Sequence, residues 1–201
     1  MGEQQPEHRR RSIRLRNYDY SQPGAYFITL CVEGKRCLLG EVLDAQVAKN
    51  SAGNMVEHWW LELLRKFPEV VLDKHVVMPN HFHGILIIER EAVLTPPAGV
   101  RVARCRSPGD RAVGKPRQPG YAPVLGDIMD WFKTMSTNGY IRGVKTFGWP
   151  RFSDRFWQRN YYEHVIRDEN DFDQKRRYIA DNPRRWDQDE ENPANITKAK
   201  S

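Results

Sequence analysis

Apolar residues along the chain alternate between the two-residue period of strands and the 3.6-residue period of helices. A β-branched and aromatic run over residues 26–32 follows the turn Gln22-Pro23-Gly24 and predicts a first strand. Apolar side chains at helical spacing across residues 45–67 predict an amphipathic helix that Pro68 ends. Two further strand-like runs, 70–78 and 83–89, are joined by a short polar segment and predict a hairpin.

The second half of the chain continues with a helix, a strand and a last helix. The helix has one apolar face and Gly139 near its end; this face holds Leu125, Ile128, Phe132 and Met135. Residues 155–166 have strand composition, and Asp168 is a good N-cap for a final helix that Pro183 terminates. The order predicts an α+β fold, a ferredoxin-like βαββαβ antiparallel sheet with helices on one face plus a C-terminal helix. Proteins with this fold have many functions, so the fold alone does not indicate the function of this chain.

The chain is predicted to form one domain over residues 17–186, preceded by a basic arm at 1–16 and followed by a polar, frayed tail at 187–201. Residues 93–123 interrupt the domain with six Pro, four Gly and six basic residues. A stretch this long without periodicity predicts a mobile basic loop that contacts DNA or only links elements.

Composition narrows the function classes. The chain has 201 residues, 32 Lys and Arg against 26 Asp and Glu, and a net charge of +6, which favours a polyanionic partner only if the charge is clustered. The longest apolar run, 85–88, excludes a membrane-spanning segment. The three Cys are irregularly spaced without a CxxC pair, which excludes a secreted disulfide scaffold and predicts a reducing, cytoplasmic location.

His81-Phe82-His83 is the sharpest chemical signal. In a strand, His81 and His83 point to one face and Phe82 points to the other, toward the core. Two such imidazoles can hold one divalent cation, although an isolated pair is more often two polar residues on a solvated face. Here the pair opens a strongly apolar strand and supplies two of only six His. With no suitable Cys nearby, the pattern favours Mg²⁺ or Mn²⁺ over zinc.

The last helix supplies a complementary pair. Tyr178 and Asn182 are four residues apart and therefore share one helical face. Asn182 offers an oxygen to a cation, and the Tyr178 phenol is a nucleophile once its target is polarised. The alternatives, a surface tyrosine and a helix cap before proline, are more common for this spacing. The proline also predicts that Asn182 deviates from an ideal helix.

Basic residues surround these candidates. We expect a set of them to contact DNA phosphates, although such runs are often only solvated faces. The set is Arg14, Arg16, Lys133, Arg159, Lys175, Arg176, Arg177, Arg184 and Arg185. Aromatic residues nearby either stack on unpaired bases or fill the core, and these are Trp149, Trp157, Tyr161 and Tyr162.

Five separated motifs, in order, resemble those of a known family. They are Arg14-Leu-Arg-Asn-Tyr-Asp-Tyr, Gly24-Ala-Tyr-Phe-Ile-Thr, Val77-Met-Pro-Asn-His-Phe-His-Gly, Trp157-Gln-Arg-Asn-Tyr-Tyr-Glu-His-Val-Ile-Arg and Tyr178-Ile-Ala-Asp-Asn-Pro. Together they make the chain similar to the single-tyrosine transposases of the HUH endonuclease superfamily, most closely the REP-associated tyrosine transposases (IS200-like). The resemblance covers roughly residues 14–186 except the basic insertion.

The resemblance implies a fold and a chemistry. It implies a ferredoxin-like sheet, a Mg²⁺ or Mn²⁺ ion held by His81 and His83 with Asn182 as third ligand, and Tyr178 as nucleophile. Attack on a DNA phosphate would leave a 5′-phosphotyrosine link and a free 3′-OH. The implied partner is single-stranded or hairpin DNA, with no membrane partner, and the protein would be a monomer or a homodimer. Tyr161 and Tyr162 are rival nucleophiles; the resemblance favours Tyr178 because it precedes Asn-Pro in the last helix.

The leading hypothesis is therefore a metal-dependent transposase or endonuclease that cleaves and rejoins single-stranded DNA near hairpins. One alternative is a non-catalytic hairpin-binding module on the same fold. Another is a metal-dependent hydrolase that uses activated water, although the sequence shows no evident carboxylate cluster around the two histidines.

Overall fold

The computed structural model describes residues 22–89 and 123–198. In chain order the elements are β1 (Gly24–Cys31), β2 (Gly40–Leu43), β3 (Gln46–Lys49), α1 (Ser51–Leu61), α2 (Leu63–Lys66), β4 (Val70–Val77), β5 (His81–Ile88), α3 (Leu125–Phe147), β6 (Tyr162–Ile166), α4 (Glu169–Asp181) and α5 (Pro193–Lys198). Short 3-10 helices lie at Glu33–Lys35 and Pro183–Gln188. The basic arm and all but the last residue of the 93–123 insertion lie outside the described residues.

The main sheet has the strand order β4-β5-β1-β6, and every neighbouring pair is antiparallel. β4 and β5 form the predicted hairpin, while α1 and α3 lie in the connections from β1 to β4 and from β5 to β6. This is the ferredoxin-like βαββαβ arrangement. The predicted fold class is confirmed.

The structure differs from the predicted elements at three places. Residues 40–49 form a two-stranded hairpin where the sequence pattern places the start of a helix, and its turn holds Asp44 and Ala45 at φ 49° and 61°. The predicted last strand shrinks to β6, and Trp157 makes only a single bridge to Val32. α3 continues past Gly139 to Phe147, so this glycine does not mark the end of the helix; a larger residue there would collide with Met55 and Trp59 of α1.

One face of the sheet carries the larger core, covered by α1 and α3. Phe82 is fully buried there, with its ring 4.7 Å from that of Trp60 and 5.6 Å from that of Phe132. Burial of a phenylalanine side chain stabilises the fold by roughly 1.5–3 kcal/mol. This packing fixes the rotation of β5 about its own axis, so the neighbouring His81 and His83 must point to the other face.

α4 packs on that other face. Ile179 and Phe172 of the helix lie against Phe27 and Ile85 of the sheet, in a second and smaller core. Asp168 caps the helix, its carboxylate accepting a hydrogen bond from the backbone N–H of Asp171, as the sequence predicts. The sheet is therefore covered on both faces.

An ion pair also ties α4 to the edge strand β4. The Arg176 guanidinium donates from Nε to Asp73 Oδ1 at 2.8 Å and from Nη2 to Asp73 Oδ2 at 2.7 Å. The same guanidinium lies 4.3 Å from the centre of the Phe172 ring. Arg176 thus fixes the helix that carries Tyr178 and Asn182.

Among residues 22–89 and 123–198, no helix has the length and hydrophobicity needed to cross a bilayer. The 23 residues of α3 would be long enough, but its apolar residues form a stripe on one side rather than a continuous surface.

We predict that Arg176→Met lowers the melting temperature near neutral pH. The hydrogen bonds from Arg176 hold the pKa of the Asp73 carboxyl below its usual range. A carboxylate with a lowered folded-state pKa adds stability above its unfolded pKa and loses it as the pH falls through the folded value. The difference from wild type should therefore shrink as the pH falls to about 3, and also at high salt because both groups are partly exposed.

Circular-dichroism melts of wild type, Arg176→Met and Arg177→Met measure this effect. Arg177 is the matched control, since its side chain is exposed and donates only to the Asp173 carbonyl of its own helix. A destabilisation by Arg176→Met that is equally large in acid would show that the residue acts by packing on Phe172 and not by the ion pair.

Candidate metal and nucleophile site

Two histidines form the centre of the site. His81 and His83 are 0% and 3% exposed, and their ring centroids lie 4.6 Å apart on the face of the sheet that α4 covers. The prediction that they share one face, with Phe82 in the opposite core, is confirmed. This pair begins β5 directly after the hairpin turn.

Each imidazole uses its Nδ1 atom for a neighbour and leaves its Nε2 atom open. His81 Nδ1 lies 2.9 Å from Asn80 Oδ1, and His83 Nδ1 lies 2.8 Å from Thr29 Oγ1 of β1. Both Nε2 atoms are buried and have no hydrogen-bond partner among the described residues. Such atoms are costly unless another group satisfies them.

α4 brings Tyr178 and Asn182 next to the histidines. The Tyr178 ring lies 5.2 Å from the His83 ring and 5.7 Å from the Phe27 ring, both in edge-to-face contact. Asn182 is 3% exposed, and its Oδ1 atom also has no partner among the described residues. Its backbone is helical (φ −56°, ψ −44°), so the expected deviation before proline is wrong, because Pro183 continues the chain as a 3-10 helix.

The donor set fits a divalent cation. The Nε2 atoms of the two imidazoles and the Oδ1 atom of Asn182 are buried and make no hydrogen bond to the described residues. The two rings lie 4.6 Å apart, and the Asn182 side chain acts on the pKa of His81, so the donors belong to one neighbourhood. Imidazole nitrogen and amide oxygen are both ligands of divalent metals. Within the described residues, no group of three or more His, Cys, Asp or Glu is placed to hold a metal. The candidate site therefore combines His81 and His83 with the amide oxygen of Asn182.

Cys31 lies beside the two histidines, although the sequence suggests no cysteine near them. It pairs with His81 across β1 and β5, and its side chain lines the same cleft. Burial and the nearby Glu191 carboxylate raise the pKa of this thiol to about 12. Without a metal, Cys31 therefore stays a neutral thiol.

The segment after α4 returns to the site, where the sequence pattern predicts a frayed tail. Asp189 Oδ2 lies 3.9 Å from His81 Nε2, and Glu191 pairs with Lys35 at 3.3 Å. Sequence reasoning missed both carboxylates. The acidic run over residues 187–191 is their only signal, and it is also typical of a solvated tail.

The electrostatics keep both imidazoles neutral. Burial lowers the pKa of His81, against the opposing effect of Asp189 and Glu191, and burial together with the neighbouring His81 places the pKa of His83 well below its usual range. Neutral imidazoles keep the lone pair that a metal requires. Burial, helped by Asp189, raises the pKa of the Tyr178 phenol, so it stays protonated.

His83, Tyr178 and Asn182 line a cleft of about 990 Å³. Its basic lining residues are Arg155, Arg159, Lys175 and Arg185, and its aromatic ones are Phe27, Tyr161, Tyr162 and Tyr178. Tyr162 and Tyr178 are 49% and 44% exposed, so their rings are accessible from the cleft. The acidic lining residues are Glu33, in the 3-10 helix after β1, and Asp189, Glu190 and Glu191 of the segment after α4.

The predicted DNA contacts divide into three groups. Arg159, Lys175 and Arg185 line the cleft, whereas Arg14 and Arg16 lie outside the described residues. The others are placed elsewhere: Arg176 on Asp73, Arg177 and Arg184 on the exposed side of the helix and the following turn, and Lys133 beneath the cleft wall.

Lys133 holds that wall. Its ammonium donates to the backbone carbonyls of Gln158 and Arg159, each at 2.8 Å, and burial lowers its pKa.

Trp157 is 3% exposed and packs in the core. Of the two roles predicted for this side chain, base stacking and core packing, the structure shows core packing.

Two solved structures are similar in fold to this chain. One, described as a REP-associated tyrosine transposase bound to a REP hairpin, is 20% identical with a TM-score of 0.49, covering 85% of this chain and 72% of that one. The other, a Deinococcus radiodurans R1 protein described as a candidate transposase, is 13% identical with a TM-score of 0.44, covering 83% of this chain and 95% of that one.

A likeness in sequence shows the family. No family model matches the chain. An uncharacterized protein of Haemophilus influenzae strain Rd is 37% identical over 183 residues, which is 91% of this chain and 93% of that protein. This chain therefore belongs to the same protein family as the Haemophilus influenzae protein.

Proposed function

We propose that the chain is a metal-dependent transposase or endonuclease that cleaves and rejoins single-stranded DNA near hairpins through Tyr178. The observation that carries this proposal is the pair of adjacent buried imidazoles, His81 and His83, whose Nε2 atoms, like Asn182 Oδ1, make no hydrogen bond to the described residues, beside the Tyr178 ring at a cleft with basic and aromatic walls. The five motifs that resemble single-tyrosine transposases support the same chemistry.

In this proposal His81 Nε2, His83 Nε2 and Asn182 Oδ1 hold a Mg²⁺ or Mn²⁺ ion. When bound, the ion supplies a Lewis acid at the scissile phosphate. The protein's part is to keep both imidazoles neutral by burial and to fix all three donors on rigid elements, β5 and the end of α4.

Tyr178 is the proposed nucleophile. Its phenol oxygen forms a bond to phosphorus while the bond from phosphorus to the 3′ oxygen breaks. The proton given up by the phenol balances the proton gained by the 3′ oxygen, which leaves a 5′-phosphotyrosine link and a free 3′-OH. Attack by a 3′-OH on this link reverses the step, so one phosphodiester is exchanged for another without an external energy source.

The cleft suits unpaired DNA. Arg159, Lys175 and Arg185 present cations to the phosphates, and the Lys175 ammonium lies 5.4 Å from the centre of the Phe27 ring beside the site. Tyr162 exposes an aromatic face on which a base can stack, which a paired base inside a duplex does not allow.

One observation favours a second candidate, a hydrolase that uses water. Asp189 places a carboxylate 3.9 Å from His81 Nε2, where it could accept a proton from an attacking water. Such an enzyme forms no covalent link to the protein and does not need the Tyr178 hydroxyl.

We predict that Tyr178→Phe abolishes the covalent protein–DNA adduct and leaves hairpin affinity within about twofold. Only the reacting oxygen is lost, and the ring contacts with His83 and Phe27 remain. A denaturing gel with labelled single-stranded hairpin oligonucleotides and Mn²⁺ measures the adduct, and a gel shift measures binding.

Tyr162→Phe is the matched control, since this second exposed tyrosine lines the same cleft and should still give the adduct. If the Tyr178→Phe variant still cleaves the DNA, and no covalent adduct forms, the enzyme is the hydrolase. Binding without cleavage by wild type would identify a binding module.

We also predict that replacing both His81 and His83 by Ala removes Mn²⁺ binding. The two substitutions remove both open nitrogens and leave Asn182 alone, too few ligands for a protein site. Electron paramagnetic resonance of free Mn²⁺ measures the loss directly. His58→Ala, at an exposed position on α1, is the control that should bind as wild type does. Unchanged Mn²⁺ binding in the double variant would place the metal elsewhere.

A further inference from the structure

We infer that Asn80 is a positioning residue that fixes the tautomer and the orientation of His81 and thereby sets the affinity of the metal site. This inference rests on the proposed metal site, although the tautomer itself can be measured without metal. Asn80 occupies the turn between β4 and β5, directly before His81, and is 1% exposed.

The hydrogen bonds of Asn80 define which way its amide faces. Nδ2 donates to the backbone carbonyls of Lys35 at 2.9 Å and of Glu191 at 2.7 Å. A carbonyl oxygen only accepts, so the nitrogen of the amide must be on that side. A flipped amide would place its own oxygen against two carbonyl oxygens. Oδ1 therefore faces His81.

The orientation of Asn80 fixes the proton on His81. Oδ1 of Asn80 only accepts, and it lies 2.9 Å from His81 Nδ1, so Nδ1 must carry the proton. A neutral imidazole has one ring proton, which leaves the lone pair on Nε2. This nitrogen is buried and makes no hydrogen bond to the described residues, and the Asp189 carboxylate oxygen, 3.9 Å away, lies beyond hydrogen-bond distance. The tautomer that Asn80 selects is the one that can bind a metal through Nε2.

Backbone contacts keep Asn80 from moving. Its own carbonyl accepts a hydrogen bond from the Val32 backbone N–H at 2.8 Å, and the carbonyl of Pro79 accepts one from Leu39 at 2.9 Å. Through Lys35 and Glu191 the amide also reaches the loop after β1 and the segment after α4. The group that orients His81 is thus held from three parts of the chain.

His83 has no equivalent constraint. Its Nδ1 atom lies 2.8 Å from the Thr29 hydroxyl, which can either donate or accept. This contact is compatible with both tautomers of His83. Asn80 is therefore specific to His81, and its loss should affect that ring alone.

The first experiment is ¹⁵N NMR of the imidazoles in the metal-free protein, in solution near neutral pH. We expect wild-type His81 to carry its proton on Nδ1, whereas a free histidine favours Nε2. A wild-type His81 protonated on Nε2 would overturn the inference without any variant. If wild type shows the expected tautomer but binds no Mn²⁺, the proposed metal site fails and the structural role of Asn80 stands.

Two variants then separate tautomer from scaffold. Asn80→Ala removes the acceptor, so we expect the His81 proton to shift toward Nε2 and Mn²⁺ affinity to fall by about 10–100-fold. Asn80→Asp keeps an oxygen acceptor and loses both donations to Lys35 and Glu191. It should therefore retain the Nδ1 proton and recover most of the Mn²⁺ affinity, while melting at a lower temperature than wild type.

Asn50→Ala is the matched structural control. Asn50 is another amide with several backbone partners, since it donates to the Leu38 carbonyl and caps α1 by accepting from the N–H groups of Ala52 and Gly53. Its loss should lower the melting temperature without moving the His81 tautomer or the Mn²⁺ affinity. Equal Mn²⁺ affinities for Asn80→Ala and wild type, or equal losses for Asn80→Ala and Asn80→Asp, would contradict the inference.

Discussion

The burial of Phe82 is the constraint on which the site depends. Its ring is packed between Trp60 and Phe132 in the core beneath α1 and α3, and a strand that buries one side chain must present its neighbours on the opposite face. Rotating β5 to expose Phe82 would lose roughly 1.5–3 kcal/mol of apolar burial. The two imidazoles are therefore held in place by apolar packing on the other side of the sheet.

α4 completes the site by a different set of forces. The helix makes a small apolar contact with the sheet, and the two hydrogen bonds from Arg176 to Asp73 add to it. Arg176, which the sequence places in a basic run, therefore holds the helix on the sheet. Since Tyr178 and Asn182 are one helical turn apart, fixing the helix fixes both. The Tyr178 phenol and the Asn182 amide, the proposed nucleophile and the proposed third ligand, therefore need little further ordering for the proposed reaction.

Much of this arrangement was predictable from local pattern. Alternation placed His81 and His83 on one face, helical spacing paired Tyr178 with Asn182, and Asp168 marked the start of α4. The hairpin over residues 40–49 was not predictable, because its Asp44-Ala45 turn lacks the glycine that usually marks such turns. The contact between Asp189 and His81 was also not predictable, because helical and strand periods relate only residues that are close in sequence.

The sequence by itself determined the order of the four strands of the main sheet and of the helices between and after them. It also determined the side of β5 that carries the histidines. Both follow from periods of two and 3.6 residues. Only the tertiary structure decided which basic residues face the cleft, that Cys31 lies opposite His81, and that Asn80 directs its oxygen to that ring. The reason is physical: a hydrogen bond or an ion pair between distant segments depends on where the packed sheet and helices bring them together, and charge alone does not encode that position.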